Sequence, residues 1–133
     1  MRQSYKMLAP LLSGDLSLFL YFSWQGRVTH HLPLDMTSIL VTACPFIVAW
    51  LLVATTMELY RSPHPQPLLP FWLRLCGAVW ISTCLGTALR AWLLRHPFDW
   101  LFLSVTTLFM LVAFSLWRLG WQWAARRWMN RAV

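Results

Sequence analysis

The sequence predicts an all-α membrane protein, a bundle of four transmembrane helices, and three observations carry that expectation. Four apolar runs, near 7–24, 36–59, 71–94 and 98–119, follow one another with hardly any soluble sequence between them. Each meets the need for about 20 residues to cross the hydrocarbon core as a helix. Apolar residues make up 59% of the chain and charged ones 11%, against about 25% charged in soluble domains. Tryptophans also gather where the runs end, at Trp24, Trp72, Trp92, Trp100, Trp117, Trp121, Trp123 and Trp128. That is the headgroup level an amphipathic ring prefers. Trp50 and Trp80 are interior exceptions. One buried soluble helix would explain any single run, but four in 133 residues leave room for one membrane domain and little else.

The first run follows Arg2 and Lys6 as a signal peptide would, but Asp15 interrupts it and no small-x-small cleavage pattern follows. It is therefore expected to be a helix of the mature chain. Asp15 then lies about 12 Å into a helix starting near Met7, where an ionisable group is a functional candidate by default. The competing role is a carboxylate that pins helix packing, and the apolar company of Leu8, Leu11, Leu12, Phe19 and Phe22 favours it. The connection from Gln25 to Leu34 concentrates Arg27, His30 and His31. Adjacent histidines in a loop are weak evidence for a metal or pigment ligand, so no metal site is predicted.

The second run places Ser38, Thr42, Pro45, Ala49 and Thr56 within a narrow arc at 100° per residue. Pro45 removes one backbone hydrogen bond, frees the Val41 carbonyl and predicts a kink. Such a face lines a cavity or, more commonly, lets another helix approach closely. Glu58 closes the run level with Arg74 and Arg118, which predicts an interfacial ion pair. The segment from Arg61 to Pro70 holds four prolines and should be a stiff, extended spacer.

The third run carries Arg74, Ala78, Ser82, Gly86 and Arg90 at steps of four. Each step overshoots a turn by about 40°, so the two arginines lie roughly 160° apart and cannot serve one site on that helix. Ala78, Ser82 and Gly86 form a winding seam for close packing. Arg74 belongs at the interface, whereas Arg90 sits about 8 Å inside the end of its helix. In the fourth run Ser104, Ser115 and Arg118 share one side and should point inward. Only Leu94 to Pro97 connects these two helices, which must be adjacent and antiparallel.

Residues 121–133 form a basic, tryptophan-rich tail. Trp121, Trp123, Arg126, Arg127 and Trp128 are expected to lie along the inner surface on anionic lipid, a better reading of the +7 charge than a nucleic-acid patch. If all four runs span, the two termini and the second connection share one side. That side holds Arg2, Lys6, Arg61, Arg74, Arg118, Arg126, Arg127 and Arg131, leaving Arg27, Arg90 and Arg95 opposite. The positive-inside rule then puts both termini inside, in a cytoplasmic or thylakoid-type membrane. Cys44, Cys76 and Cys84 lack a C-x-x-C or a neighbouring histidine and behave as small hydrophobes.

Several of these residues resemble, in order, a family of small four-helix membrane proteins called domain-of-unknown-function family 3054. The matching pieces are Gly14-Asp15, then Gly26-Arg27 with His30, then Thr42-Ala43, Pro45-Phe46 and Trp50. Gly86 with Arg90, Phe98 and the closing Trp117-Arg118 complete the likeness, which runs from about Leu11 to Leu119. The resemblance implies four helices and points to Asp15, Arg27, His30, Arg90 and Arg118. It implies no activity, and Glu58, Arg74 and the tail lie outside its pattern.

No catalytic constellation emerges, since the four acids are scattered, and the chain is not expected to be an enzyme. The leading expectation is a structural or accessory subunit that packs against partner membrane proteins or as a homo-oligomer. The alternative is an oligomeric small transporter or channel, with Asp15 as its proton- or cation-responsive group and Arg27 and Arg90 at its outer mouth. No cofactor is predicted, and a pigment, quinone or haem site is a minor alternative resting on the histidines and aromatics.

Overall fold

The structure, a computed structural model, describes residues 2–61 and 66–131. It contains four helices: α1 (Arg2–Thr29), α2 (Met36–Thr56), α3 (Leu68–Leu94) and α4 (Trp100–Arg131). All four are long and apolar enough to cross a membrane. They run up and down in sequence order around a ring, each against its chain neighbour, with α1 and α4 closing the circle along its loosest seam. We call the end with the termini and the α2–α3 connection proximal, and the other end distal. Pro63 and Pro65 of the proline-rich spacer lie outside the described residues.

The helix starts are set by caps. Asp35 precedes α2 and accepts the Ser38 backbone N–H at 2.9 Å, a bond that holds its carboxyl below the usual carboxylate range. Asp99 caps α4 by accepting the N–H groups of Leu101 and Phe102 at 2.9 and 3.1 Å. That cap is why α4 begins at Trp100 rather than at Phe98. Leu68 opens α3 directly after Pro67, and Pro70 fits the first turn because its missing N–H would have no helical partner there.

Three helices end in one way. Leu32 N–H bonds Arg27 O, Leu59 N–H bonds Ala54 O, and His96 N–H bonds Ala91 O, at 2.9, 2.9 and 3.0 Å. Each closure needs the preceding residue in the left-handed region, and His31, Glu58 and Arg95 adopt φ of 53°, 58° and 51°. This stops α2 at Thr56, three residues short of the apolar run's end, so Glu58 belongs to a turn and not to the helix. Pro33 and Pro97 follow two of these closures and keep the chain from resuming a helix.

α1 and α2 run unbroken through Pro10 and Pro45. α4 differs most from expectation: residues 121–131 continue it, because nothing in Trp121–Arg131 breaks a helix. At about 1.5 Å per residue its 32 residues span about 48 Å, well beyond a hydrocarbon core of about 30 Å.

The bundle centre is aromatic. Trp50 and Phe114 lie 4.2 Å apart by ring centroid, with Phe19 at 6.1 and 5.5 Å from them. The small-residue seam of α3 is buried at Ala78, Ser82 and Gly86. A Cβ on Gly86 would come within 3.2 Å of the Phe46 Cα, so the missing side chain lets the α2 and α3 backbones meet. Thr83 and Thr107 add a hydroxyl contact of 2.8 Å between α3 and α4.

A left-handed L-residue costs about 1–2 kcal/mol, and glycine escapes that cost. His31 is exposed, so replacing its side chain sacrifices little packing. His31→Gly should therefore raise unfolding stability by about 1 kcal/mol, read as an upward shift of the thermal midpoint in detergent.

Candidate functional site

The proximal half of the bundle is organised around Asp15, which is 0% exposed. Gly14 lies beside it: a Cβ there would sit 2.0 Å from the Trp117 ring. The bare backbone lets that indole lie flat on α1. Its Nε1–H then donates to Asp15 Oδ1 at 3.0 Å. From α4, one turn along the buried face from Phe114, comes Arg118, only 2% exposed. Its Nε donates to Oδ1 at 3.1 Å and its Nη2 to Oδ2 at 2.5 Å, a two-pronged ion pair.

The other carboxylate face is met from α2 and the turn after it. Trp50 Nε1–H points at Oδ2 from 3.2 Å and at the Tyr60 hydroxyl from 2.9 Å. Tyr60 donates its own proton to Oδ2, and its ring lies 5.0 Å from the Arg118 guanidinium. Burial, then the Asp15 charge, push the Tyr60 hydroxyl above its ordinary range, so it stays a donor. Asp15 thus accepts bonds from Trp50, Tyr60, Trp117 and both Arg118 prongs. This saturates its two oxygens. Desolvating the pair is expensive, and these extra donors offset that cost.

The other charged candidates sit apart from this cluster. Glu58 pairs with Arg61 at 2.7 Å, both exposed, and that contact holds its carboxyl below the usual range. Arg118 turns inward to Asp15, while Arg74 is exposed with a smaller influence on Glu58. The turn at Glu58 brings Arg61, three residues on, within reach of its carboxylate. On α4 Ser115 accepts the Trp72 indole N–H at 3.0 Å. Ser104 faces outward and bonds its own helix at Trp100 O.

At the distal end residues of all four helices line a cavity of about 420 Å³. Arg27 of α1, His30 of the turn after it, Thr42 of α2, Arg90 of α3 and Thr106 of α4 supply polar groups, among walls that include Phe22, Phe102 and Phe109. Arg27 donates to Pro33 O and Thr42 Oγ1 at 2.6 and 3.0 Å. Thr42 is therefore the one member of the α2 polar stripe that touches a charged candidate. Ser38 is half-buried, Pro45 and Ala49 are buried in packing, and Thr56 faces out.

A family model described as a protein of unknown function, DUF3054, matches residues 12–121. The chain belongs to the DUF3054 family. No curated protein and no solved structure matches it. In this DUF3054 protein the Asp15 cluster and the residues lining the distal cavity lie within the matched segment, while Arg126, Arg127 and Trp128 fall beyond it. Within the α4 extension, Arg126 Nη2 holds Gln66 O at 2.7 Å and Gln122 accepts the Gln66 N–H at 3.1 Å. Trp121 is half-buried, 5.9 Å from Trp117. Trp123, Arg127 and Trp128 are exposed, with Arg127 over the Trp123 ring at 4.3 Å.

One member of the cluster, Tyr60, was not singled out by sequence, and two others were read in different roles. Trp117 and Trp50 belong to the family resemblance, but by position Trp117 reads as an interfacial tryptophan and Trp50 as an exception to the aromatic belt. The usable signal was that last one, since an indole N–H in an apolar interior needs an acceptor.

Removing one partner of a buried ion pair costs about 3–5 kcal/mol, because the other charge is left uncompensated. Arg118→Met should lower the unfolding free energy of this DUF3054 protein by that amount. Arg118→Lys keeps the charge but not the fork and should lose less. Equilibrium unfolding in mixed micelles measures both.

Proposed function

We propose that this is an integral membrane protein acting as a structural or accessory subunit, one that packs its helix faces against a partner membrane protein or a second copy. The saturation of Asp15 is the observation that carries this reading. An intramembrane carboxylate that moves protons or cations must change partners during its cycle. Asp15 instead holds three helices and a turn together through donors that would all have to move. Its position suits a rigid body that other proteins recognise.

The outward surface fits the same role. α2 presents Leu40, Val41, Val48 and Leu52, and α4 presents Leu101, Leu108, Val112 and Leu116, all exposed. Lipid and apolar protein are equally good solvents for such faces. The basic residues of the proximal end favour an inner, cytoplasmic-side placement of both termini. The exposed Trp123, Arg127 and Trp128 suit contact with anionic headgroups there.

Native mass measurement of the protein extracted from its own membrane in mild detergent tests the subunit role. A complex of fixed stoichiometry above 15.6 kDa is expected; a bare monomer across extraction conditions would sink it. The runner-up, a transporter with Asp15 as its working group, would replace it if proteoliposomes showed a proton or cation flux that Asp15→Asn abolished in a folded protein. For the orientation, a C-terminal tag should be open to protease in inside-out vesicles, and protection there would reverse it.

A further inference from the structure

We propose that the distal cavity binds an organic anion with an apolar body. A carboxylate or phosphate head would be held by Arg27 and Arg90, with the body against Phe22, Phe102 and Phe109. The sign of the charge decides the ligand's head. Both arginines line one cavity, and no Asp or Glu lines it with them. Arg27 spends two of its N–H groups on neutral oxygens, Pro33 O and Thr42 Oγ1. Asp35 caps α2, and Arg27 is the least of the influences on its carboxyl. Arg90 lies 4.6 Å from the Phe102 ring centroid, and among the described residues no carboxylate pairs with it. A cation–π contact offsets only part of the cost of removing a guanidinium from water.

Two buried polar atoms reinforce the point. Thr106 is 0% exposed and lines the cavity, yet among the described residues its Oγ1 has no hydrogen-bond partner, and neither does the buried Nε of Arg90. Native interiors rarely leave such groups empty-handed without a reason. An anion in the cavity would neutralise charge that its own lining leaves uncompensated.

The walls decide the ligand's body. The cavity falls within the range of about 300–1,000 Å³ typical of small-molecule sites, far more than a bare inorganic anion needs. Phe22 stands 5.4 Å from Phe109 and 6.4 Å from Phe102, giving an aromatic lining that favours hydrocarbon or a flat ring. Two sources supply this chemistry: an anionic lipid whose headgroup enters the cavity, or a free amphipathic acid. The contrast with the proximal half is electrostatic. There Arg118 has its own carboxylate, whereas among the described residues neither Arg27 nor Arg90 forms an ion pair.

The test uses the full chain in phosphatidylcholine nanodiscs and measures binding of oleate, of methyl oleate and of phosphatidylglycerol by native mass spectrometry. Oleate or phosphatidylglycerol should bind at one equivalent, and methyl oleate at least about tenfold more weakly than oleate. Arg27→Gln and Arg90→Gln should each weaken the anion at least about tenfold. The exposed Arg74→Gln should bind within a few-fold of the parent. Selective retention of phosphatidylglycerol identifies a lipid headgroup as the source, and selective retention of oleate identifies a free acid. Equal binding of oleate and methyl oleate to the unaltered protein overturns the proposal without relying on any variant. So does anion binding that survives loss of both arginines, or the absence of binding by all three probes.

Discussion

The pairing of Asp15 with Arg118 is the constraint on which the remaining architecture depends. Neither charge is tolerable alone in an apolar interior, so α1 and α4 must meet where these residues fall. Gly14 has no side chain because Trp117 must lie over it to reach the same carboxylate. The turn after α2 curls back through Glu58 and so carries Tyr60 to the carboxylate's other side. One ionic contact thereby sets the register of two helices and the path of a connection.

The two halves of the bundle treat charge in opposite ways. Proximally, every donor around Asp15 is matched, and the α4 extension is tied to the α2–α3 connection through Gln66. Distally, Arg27 and Arg90 line a cavity that no Asp or Glu lines with them. Packing follows this division, with Trp50 and Phe114 packed beside the cluster and Phe22, Phe102 and Phe109 lining the cavity.

Much of the candidate site could be read from sequence, but unevenly. Asp15 and Arg118 stand out because ionised groups are costly in hydrocarbon, and Arg90 because it lies inside its helix end. The pairing itself was hidden: Arg118 belongs with Glu58 by level along the bundle, and a depth argument says nothing about which way a side chain turns. Arg74 and Arg90 do point apart around α3, as their spacing requires. Arg90 nevertheless shares a cavity with Arg27, because helical periodicity relates residues on one helix and not on two. The polar stripe on α2 was legible as a stripe, but only the position of α1 decides that Thr42 meets Arg27.

The sequence by itself determined the number, approximate extent and alternation of the helices, since these follow from hydrocarbon thickness and backbone hydrogen bonding. It also determined the close-packing seam at Ala78, Ser82 and Gly86, because small residues in a row leave helices free to approach. Only the tertiary structure decided which charges neutralise each other and which stay open to a ligand. That outcome rests on side-chain directions and distances between helices far apart in the chain, where Coulomb energy changes steeply over a few ångströms in a poorly screening medium. Local patterns carry no such information. The same arginine is therefore an interfacial residue, a structural partner or a binding group according to what the fold places beside it.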